Sequence, residues 1–171
     1  MALAYAEALK AMEKWDYPIW AIMLDDAWNI ISGRNERNTQ NNRKSHAEIN
    51  LIKAATNHSI ANKILYVTLE PWKMCTNALL EFWIKEINFI LEDPFKWGLK
   101  DLKNSEIIVN QYNDENNMYL KLLLNYFPSH AYIKYRKYYE KKLIDAIDLN
   151  MSQVYPRQLK KSGHFSHRTV R

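Results

Sequence analysis

Residues 65–75 constrain the fold of this chain more than any other part of the sequence. From Leu65 to Leu69 apolar residues occupy every second position, which is the pattern of a strand with one face in a core. Pro71 follows, and proline suits the first turn of a helix because the N–H that it lacks would have no partner there. The sequence therefore predicts a strand followed directly by a helix, with Cys75 one turn inside that helix.

The flanking segments make this unit part of a larger mixed sheet. We expect strands over residues 63–69 and 86–91 with a helix over 72–83 between them, and such a β-α-β unit implies a parallel pair. Upstream, residues 17–25 and 27–32 are predicted to form two strands joined by a tight turn, which gives an antiparallel hairpin.

The remaining segments complete a predicted α/β domain. Further helices are expected at 2–15, 45–57, 114–127 and 132–149, with a fifth strand at 106–110 and a loop at 93–104. A chain of 171 residues with 47% hydrophobic content is long enough for one core and too short for two. We therefore predict one domain over residues 1–150, built on a central mixed sheet of about five strands.

Residues 151–171 are predicted to form a basic, disordered tail. They contain five lysines and arginines and no acid, so they hold the whole net charge of +5. Clustered positive charge suits contact with phosphates, although basic tails are also common in proteins that use them for nothing specific.

Composition and hydropathy exclude several classes of protein. The single cysteine argues against a disulfide framework, and no apolar stretch reaches the roughly 20 residues that cross a bilayer. The first 15 residues carry charges among their apolar positions, unlike a signal peptide. We expect a cytoplasmic protein without a membrane partner.

The segment that begins at Ser45 allows two interpretations. Ser45 and Glu48 match a capping box, in which a glutamate only satisfies a backbone N–H at the start of a helix. His46 beside Glu48, with Cys75 far downstream, instead suggests a metal ligand next to a catalytic carboxylate. The polar loop 33–44 just before them is either a solvated connector or part of the same site.

These residues match most of the signature of zinc deaminases that act on nucleobases, H-x-E followed by P-C-x-x-C. His46, Glu48, Pro71 and Cys75 fit, but Trp72 occupies the place of the first cysteine.

The match extends beyond the signature and is specific. Residues 66–71 together with Met74 and Cys75 resemble the bacterial tRNA wobble adenosine deaminases, as do Asn35 before the histidine and the later Asp93 and Gly98. The resemblance covers roughly residues 2–127.

This resemblance implies a fold and a reaction. The fold would be the three-layer α-β-α arrangement of cytidine deaminases, with both motif helices on one face of the sheet. The reaction would be the hydrolytic conversion of adenosine to inosine in a tRNA anticodon stem-loop by a hydrolase that is usually a homodimer.

The resemblance also implies the roles of individual residues. His46 and Cys75 would hold zinc, Glu48 would shuttle the proton without binding the metal, and Asn35 would hold the target base.

Trp72 departs from the family pattern at a zinc ligand. An indole N–H donates and has no free lone pair, so it cannot replace a thiolate. We therefore expect zinc to be weakly held or absent unless Glu70, a water or a partner chain completes the set, and deamination to be impaired. The alternative is a non-catalytic RNA-binding pseudo-deaminase or partner subunit. Trp20 stands where the family usually has a glycine, and we expect it near the base pocket.

Four tyrosines alternate with basic residues in the last predicted helix, and their spacing has two explanations. Such a pattern suits stacking on exposed bases beside phosphates, and it equally suits one face of a helix packed on the core. The tyrosines are Tyr132, Tyr135, Tyr138 and Tyr139.

Overall fold

A five-stranded mixed sheet forms the centre of the molecule, as the sequence predicts. The computed structural model describes residues 2–55, 58–95, 98–114, 117–126 and 133–154. The strands are β1 (Trp20–Leu24), β2 (Ile30–Arg34), β3 (Ile64–Leu69), β4 (Glu86–Leu91) and β5 (Ile108–Gln111). The helices are α1 (Ala2–Glu13), α2 (Ala47–Ala54), α3 (Lys73–Glu81), α4 (Leu99–Lys103), α5 (Met118–Tyr126) and α6 (Ile133–Val154).

The strand order is β2-β1-β3-β4-β5. β1 pairs antiparallel with β2 and β3, whereas β3, β4 and β5 run parallel. The parallel half places the carboxyl ends of β3 and β4 side by side, and loops at such an edge commonly carry functional groups. The α/β class with a mixed five-stranded sheet is confirmed.

Some helices and strands begin or end at residues other than those predicted from the sequence. The hairpin strands begin later than expected, because Tyr17 to Ile19 are buried outside the ladder. A short helix, α4, lies in the stretch predicted as a loop. The last helix continues to Val154, beyond the boundary placed at residue 150. The rest of the tail, residues 155–171, lies outside the described residues, so its predicted disorder stays a prediction.

The capping box at α2 does not form. The residue that precedes the helix is His46, and Ser45 donates instead to Gln40 Oε1 at 2.6 Å. The side chain of Glu48 is thus not explained by helix capping.

The tyrosines of α6 contribute to the core. Tyr139 is fully buried and its hydroxyl donates to the carbonyl of Glu92 at 3.1 Å, while Tyr135 and Tyr138 pack against the core in part. This supports the core explanation of their spacing for these three; Tyr132 lies outside the described residues.

Gly98 explains how the segment after β4 reaches the start of α3. A Cβ at Gly98 would lie 2.0 Å from the carbonyl oxygen of Pro71 and 2.4 Å from Thr76 Oγ1. No side chain fits there, so glycine lets the two segments touch.

None of the described helices is both long and apolar enough to span a lipid bilayer.

Candidate active site

The first turns of α2 and α3 bring the predicted metal ligands together. His46 immediately precedes α2, and Cys75 is the third residue of α3. The Nδ1 atom of His46 lies 3.5 Å from the Sγ atom of Cys75, and a carboxylate oxygen of Glu48 completes a group whose atoms lie within 4.8 Å of one another. All three side chains are buried. Residues far apart in the sequence thus form one cluster.

Trp72 occupies the remaining side of this cluster. It immediately precedes α3, and its ring meets that of His46 edge-on with the centroids 5.2 Å apart. Its other neighbour is Tyr135 of α6, against which it stacks at 6.4 Å with an angle of 24° between the planes. The indole therefore lies wedged between the histidine and the last helix.

The residues present fit only part of a catalytic zinc site. Two ligands of tetrahedral zinc, one nitrogen and one sulfur, lie about 3.6 Å apart, so the observed separation of His46 and Cys75 suits a metal. A third neutral or anionic donor from the signature's first cysteine is missing. Glu70 does not replace it, because its carboxylate accepts the backbone N–H of Asp93 at 3.0 Å and lies outside the cluster. The three-ligand zinc set of the signature is not reproduced.

Burial controls the protonation of the cluster. It raises the pKa of Glu48 to about 7, and it raises that of the Cys75 thiol with a further contribution from the charge of Glu48. Burial also lowers the pKa of His46, and the nearby Arg37 guanidinium lowers it further. At neutral pH the imidazole is therefore neutral, and Glu48 exchanges a proton within the physiological range.

A small hollow opens onto the cluster. Its lining consists of Tyr17, Ile19, Asn35, Arg37, His46, Glu48, Leu69, Glu70 and Trp72. The cavity volume is about 10 Å³, roughly the space that one water molecule needs. Pockets for small molecules usually measure about 300 to 1,000 Å³, so the hollow as it stands is too small for a nucleobase.

Asn35 and Trp20 were both expected near the base pocket, and the structure places only Asn35 at the hollow. Asn35 is buried in the lining of the hollow, where its side-chain oxygen accepts the backbone N–H of Arg37 at 3.2 Å. Trp20 lines a separate hollow beside Gly33 and Asn50 instead. The expectation that Trp20 stands at the base pocket is wrong, because Trp20 is not among the residues that line the hollow at His46.

Tyr17 was not singled out by the sequence, and Arg37 only as one cation of a polar loop. Arg37 lies over the Tyr17 ring, with its guanidinium carbon 5.8 Å from the centroid. Both line the hollow. The position of Tyr17 just before the first strand was the one sequence signal that could have pointed to a role at the site. Its contact with Arg37 depends on tertiary packing.

Comparison with known proteins agrees with this geometry. Residues 1–91 match the cytidine and deoxycytidylate deaminase zinc-binding region. A tRNA-specific adenosine deaminase of Buchnera aphidicola is 30% identical over 138 residues, which cover 74% of this chain and 91% of that protein. The chain belongs to the tRNA-specific adenosine deaminase family.

Two further relatives of this tRNA deaminase-family chain support the assignment. The tRNA-specific adenosine deaminase of Haemophilus influenzae is 40% identical over 103 residues, and the match spans 57% of the chain and 59% of that relative's length. A solved structure from a study of A-to-I editing by tRNA:A34 deaminases is 28% identical with a TM-score of 0.58, and covers 66% of the chain and 95% of its own. The matched family region is a zinc-binding one, and this chain has Trp72 where the zinc signature has its first cysteine.

Proposed function

We propose that the protein is a tRNA adenosine deaminase-like protein in which zinc is weakly held or absent and deamination at the wobble adenosine is impaired. The observation that carries the proposal is the cluster of His46, Glu48 and Cys75, intact apart from the indole of Trp72 at the remaining ligand position.

Glu48 retains what its role requires. It is buried beside both metal-ligand residues, and its pKa of about 7 lets it accept and release a proton at neutral pH. What the site lacks is a secure hold on the metal that would supply hydroxide in this family. The chain therefore keeps the proton carrier and loses part of the means to activate water.

The proposed substrate is the anticodon stem-loop of a tRNA. Asn35 is buried in the lining of the hollow, where it could contact a base that displaces Trp72. Similarity to relatives named as tRNA-specific adenosine deaminases supports the choice of RNA. We propose that the protein is a homodimer. We also propose that it acts in the cytoplasm, where a tRNA substrate is present.

A non-catalytic RNA-binding subunit is the second candidate. It is favoured by the volume of the hollow, which admits about one water, and by the stack of Trp72 on Tyr135 that closes it. In this case the fold would bind tRNA without chemistry at the adenosine.

One experiment separates the two candidates. Purified protein is analysed for zinc per chain, and is then incubated with an anticodon stem-loop carrying a wobble adenosine, with and without added zinc. Slow, zinc-dependent formation of inosine supports the impaired enzyme, and loss of that activity in Glu48→Gln shows that it arises at this site. Tight binding with no inosine at any zinc concentration supports the non-catalytic subunit. A protein that neither binds the stem-loop nor forms inosine would overturn both candidates.

A further inference from the structure

Among the tryptophans that the structure describes, three adopt an unusual backbone conformation and are exposed. Trp15, Trp28 and Trp83 have φ angles of 60°, 65° and 58°, and their exposed fractions are 80%, 80% and 77%. The left-handed region favours glycine and is rare for a bulky side chain. An exposed indole also contributes no hydrophobic stabilisation to the fold. Such residues call for a function, and Trp15 is the one that stands two residues before Tyr17, which lines the hollow.

The structure holds the backbone of Trp15 in place. Its carbonyl oxygen accepts hydrogen bonds from the hydroxyl of Tyr126, at 3.1 Å, and from the side-chain amide of Asn38. The next residue, Asp16, is buried and accepts the backbone N–H groups of Asn38 and Thr39 at 2.6 and 3.1 Å. The end of α1 is thereby fixed against the loop that follows β2.

A chain of side-chain contacts connects the backbone of Trp15 with the hollow. The ring of Tyr126 lies 5.2 Å from that of Tyr17, and Tyr17 in turn carries the guanidinium of Arg37 over its face. Tyr17 and Arg37 both line the hollow. The main-chain carbonyl of Trp15 is thus linked directly to Asn38, and through Tyr126 and the buried Tyr17 to Arg37 at the hollow. These five residues are here called the Trp15 surface.

The Trp15 surface has the chemistry that recognises unpaired nucleotides. Exposed aromatic rings stack on bases of any sequence, and cations beside them neutralise phosphates. The residues that follow β2 supply Arg37, Arg43 and Lys44 against a single acid, Glu36, whose carboxylate is already paired with Arg34 of β2 at 3.2 Å. The combination of an exposed aromatic ring with nearby cations matches the bases and the phosphates of an RNA loop.

We propose that Trp15 is a stacking platform for the nucleotide that flanks the target adenosine in the RNA loop. This inference rests on the proposed function, and it requires neither zinc nor an open hollow. The base beside the target would stack on the Trp15 indole, and the backbone between the two would pass Arg37. Trp15 is a binding residue and takes no part in the chemical step.

Trp28 provides a matched control. It has the same exposed fraction and nearly the same φ, and it lies in the turn between β1 and β2, where its N–H donates to the carbonyl of Asp25 at 3.1 Å. Because β1 runs antiparallel to β3, this turn lies beside the start of β3, whereas the hollow lies at the end of β3. Trp28 is therefore far from the Trp15 surface.

The test compares Trp15→Gly with Trp28→Gly in the full-length chain. Glycine suits a left-handed backbone and leaves the carbonyl of residue 15 able to accept its hydrogen bonds, so both variants should fold, as a thermal melt would verify. Dissociation constants for an anticodon stem-loop are measured over a salt series. We expect Trp15→Gly to weaken binding roughly tenfold at every salt concentration, because stacking involves no counterion release, and Trp28→Gly to leave it unchanged. Trp15→Tyr should restore most of the affinity.

Each other outcome would overturn the inference. Equal binding by wild type and Trp15→Gly would reject Trp15 as a platform while leaving the proposed function in place. An equal loss in both glycine variants would indicate a non-specific effect of removing tryptophan. If the wild-type protein binds no RNA, the proposed function fails first and this inference fails with it.

Discussion

One residue, Trp72, decides what the candidate site can do. A thiolate at this position would be the third protein ligand of a catalytic zinc, whereas an indole offers a donor N–H and a bulky ring. The ring is held from both sides, edge-on by His46 and in a stack by Tyr135. The substitution thus removes a ligand and closes the hollow at the same time.

Replacing Trp72 should separate these two effects. We expect Trp72→Cys to raise bound zinc toward one ion per chain and to raise inosine formation, because it restores a three-ligand set. Trp72→Ala is the matched control, since it opens the same space without adding a ligand. Metal analysis of both variants after dialysis against zinc is the measurement. Equal zinc in the alanine and cysteine variants would contradict a ligand role for residue 72.

Glu48 should give stability a recognisable pH dependence. Its pKa is raised by burial from 4.5 to about 7, so the folded chain binds more protons than the unfolded chain between these values. The contribution of Glu48 to stability should therefore fall as pH rises through this window, by about 3 kcal/mol in total, and level off above it.

The measurement is urea unfolding of chelator-treated protein at pH 5, 6, 7 and 8. Glu48→Gln stays neutral, so its stability relative to wild type should increase with pH across this range. The exposed Glu81 gives the control variant Glu81→Gln, for which the difference should stay constant. A constant difference for Glu48→Gln would show that this carboxyl is not perturbed.

At the scale of elements, the contact between the segment after β4 and the start of α3 positions the site. Gly98 touches the carbonyl of Pro71, the residue directly before Trp72. Asp93 reinforces the same corner, because it accepts the hydroxyl of Tyr135 at 3.2 Å and donates its N–H to Glu70. The loop after β4 therefore contacts both the start of α3 and Tyr135 of α6.

Gly98→Ala should destabilise the fold by about 2 kcal/mol, because the added methyl overlaps backbone atoms that cannot turn aside as a side chain can. Lys100→Ala, an exposed position in the neighbouring helix α4, should change stability by less than about 0.5 kcal/mol. Chemical denaturation of the two variants measures the difference. Similar stabilities would mean that the loop after β4 does not press against α3.

At the scale of the whole molecule, charge is divided between a neutral body and a basic end. The five positive charges of residues 151–171 equal the net charge of the chain, and all of them lie after Val154, where α6 ends. Attraction to phosphates should accordingly come in large part from the end of the chain and act on any RNA sequence.

Removing residues 155–171 should flatten the salt dependence of RNA binding. Loss of five phosphate contacts would lower the slope of log affinity against log salt by about 3.5 to 4.5, because each contact releases about 0.7 to 0.9 of a counterion. The control keeps the tail at full length with its five basic residues changed to glutamine, and it should behave like the truncated chain. An unchanged slope in either would show that the tail does not bind RNA.

The sequence by itself determined most of the elements, though not α4, and the three residues of the buried cluster. Alternation over residues 64–69, proline before α3 and the spacing between strands are local signals, and local backbone preferences follow from them. His46, Glu48 and Cys75 could be chosen because a specific motif marks them and each falls in the first turn of a helix or just before it. The same reasoning found Asn35 through its place in the motif.

Only the tertiary structure decided how open the site is and what surrounds it. The stack of Trp72 on Tyr135, the contact of Arg37 with Tyr17 and the placement of Trp20 away from His46 all join segments distant in the chain. Such contacts depend on the angle at which helices cross the sheet and on side-chain volumes, and neither leaves a local pattern. For the same reason the sequence named the missing ligand, while only the packed structure shows that an indole lines the hollow and that the hollow has room for about one water.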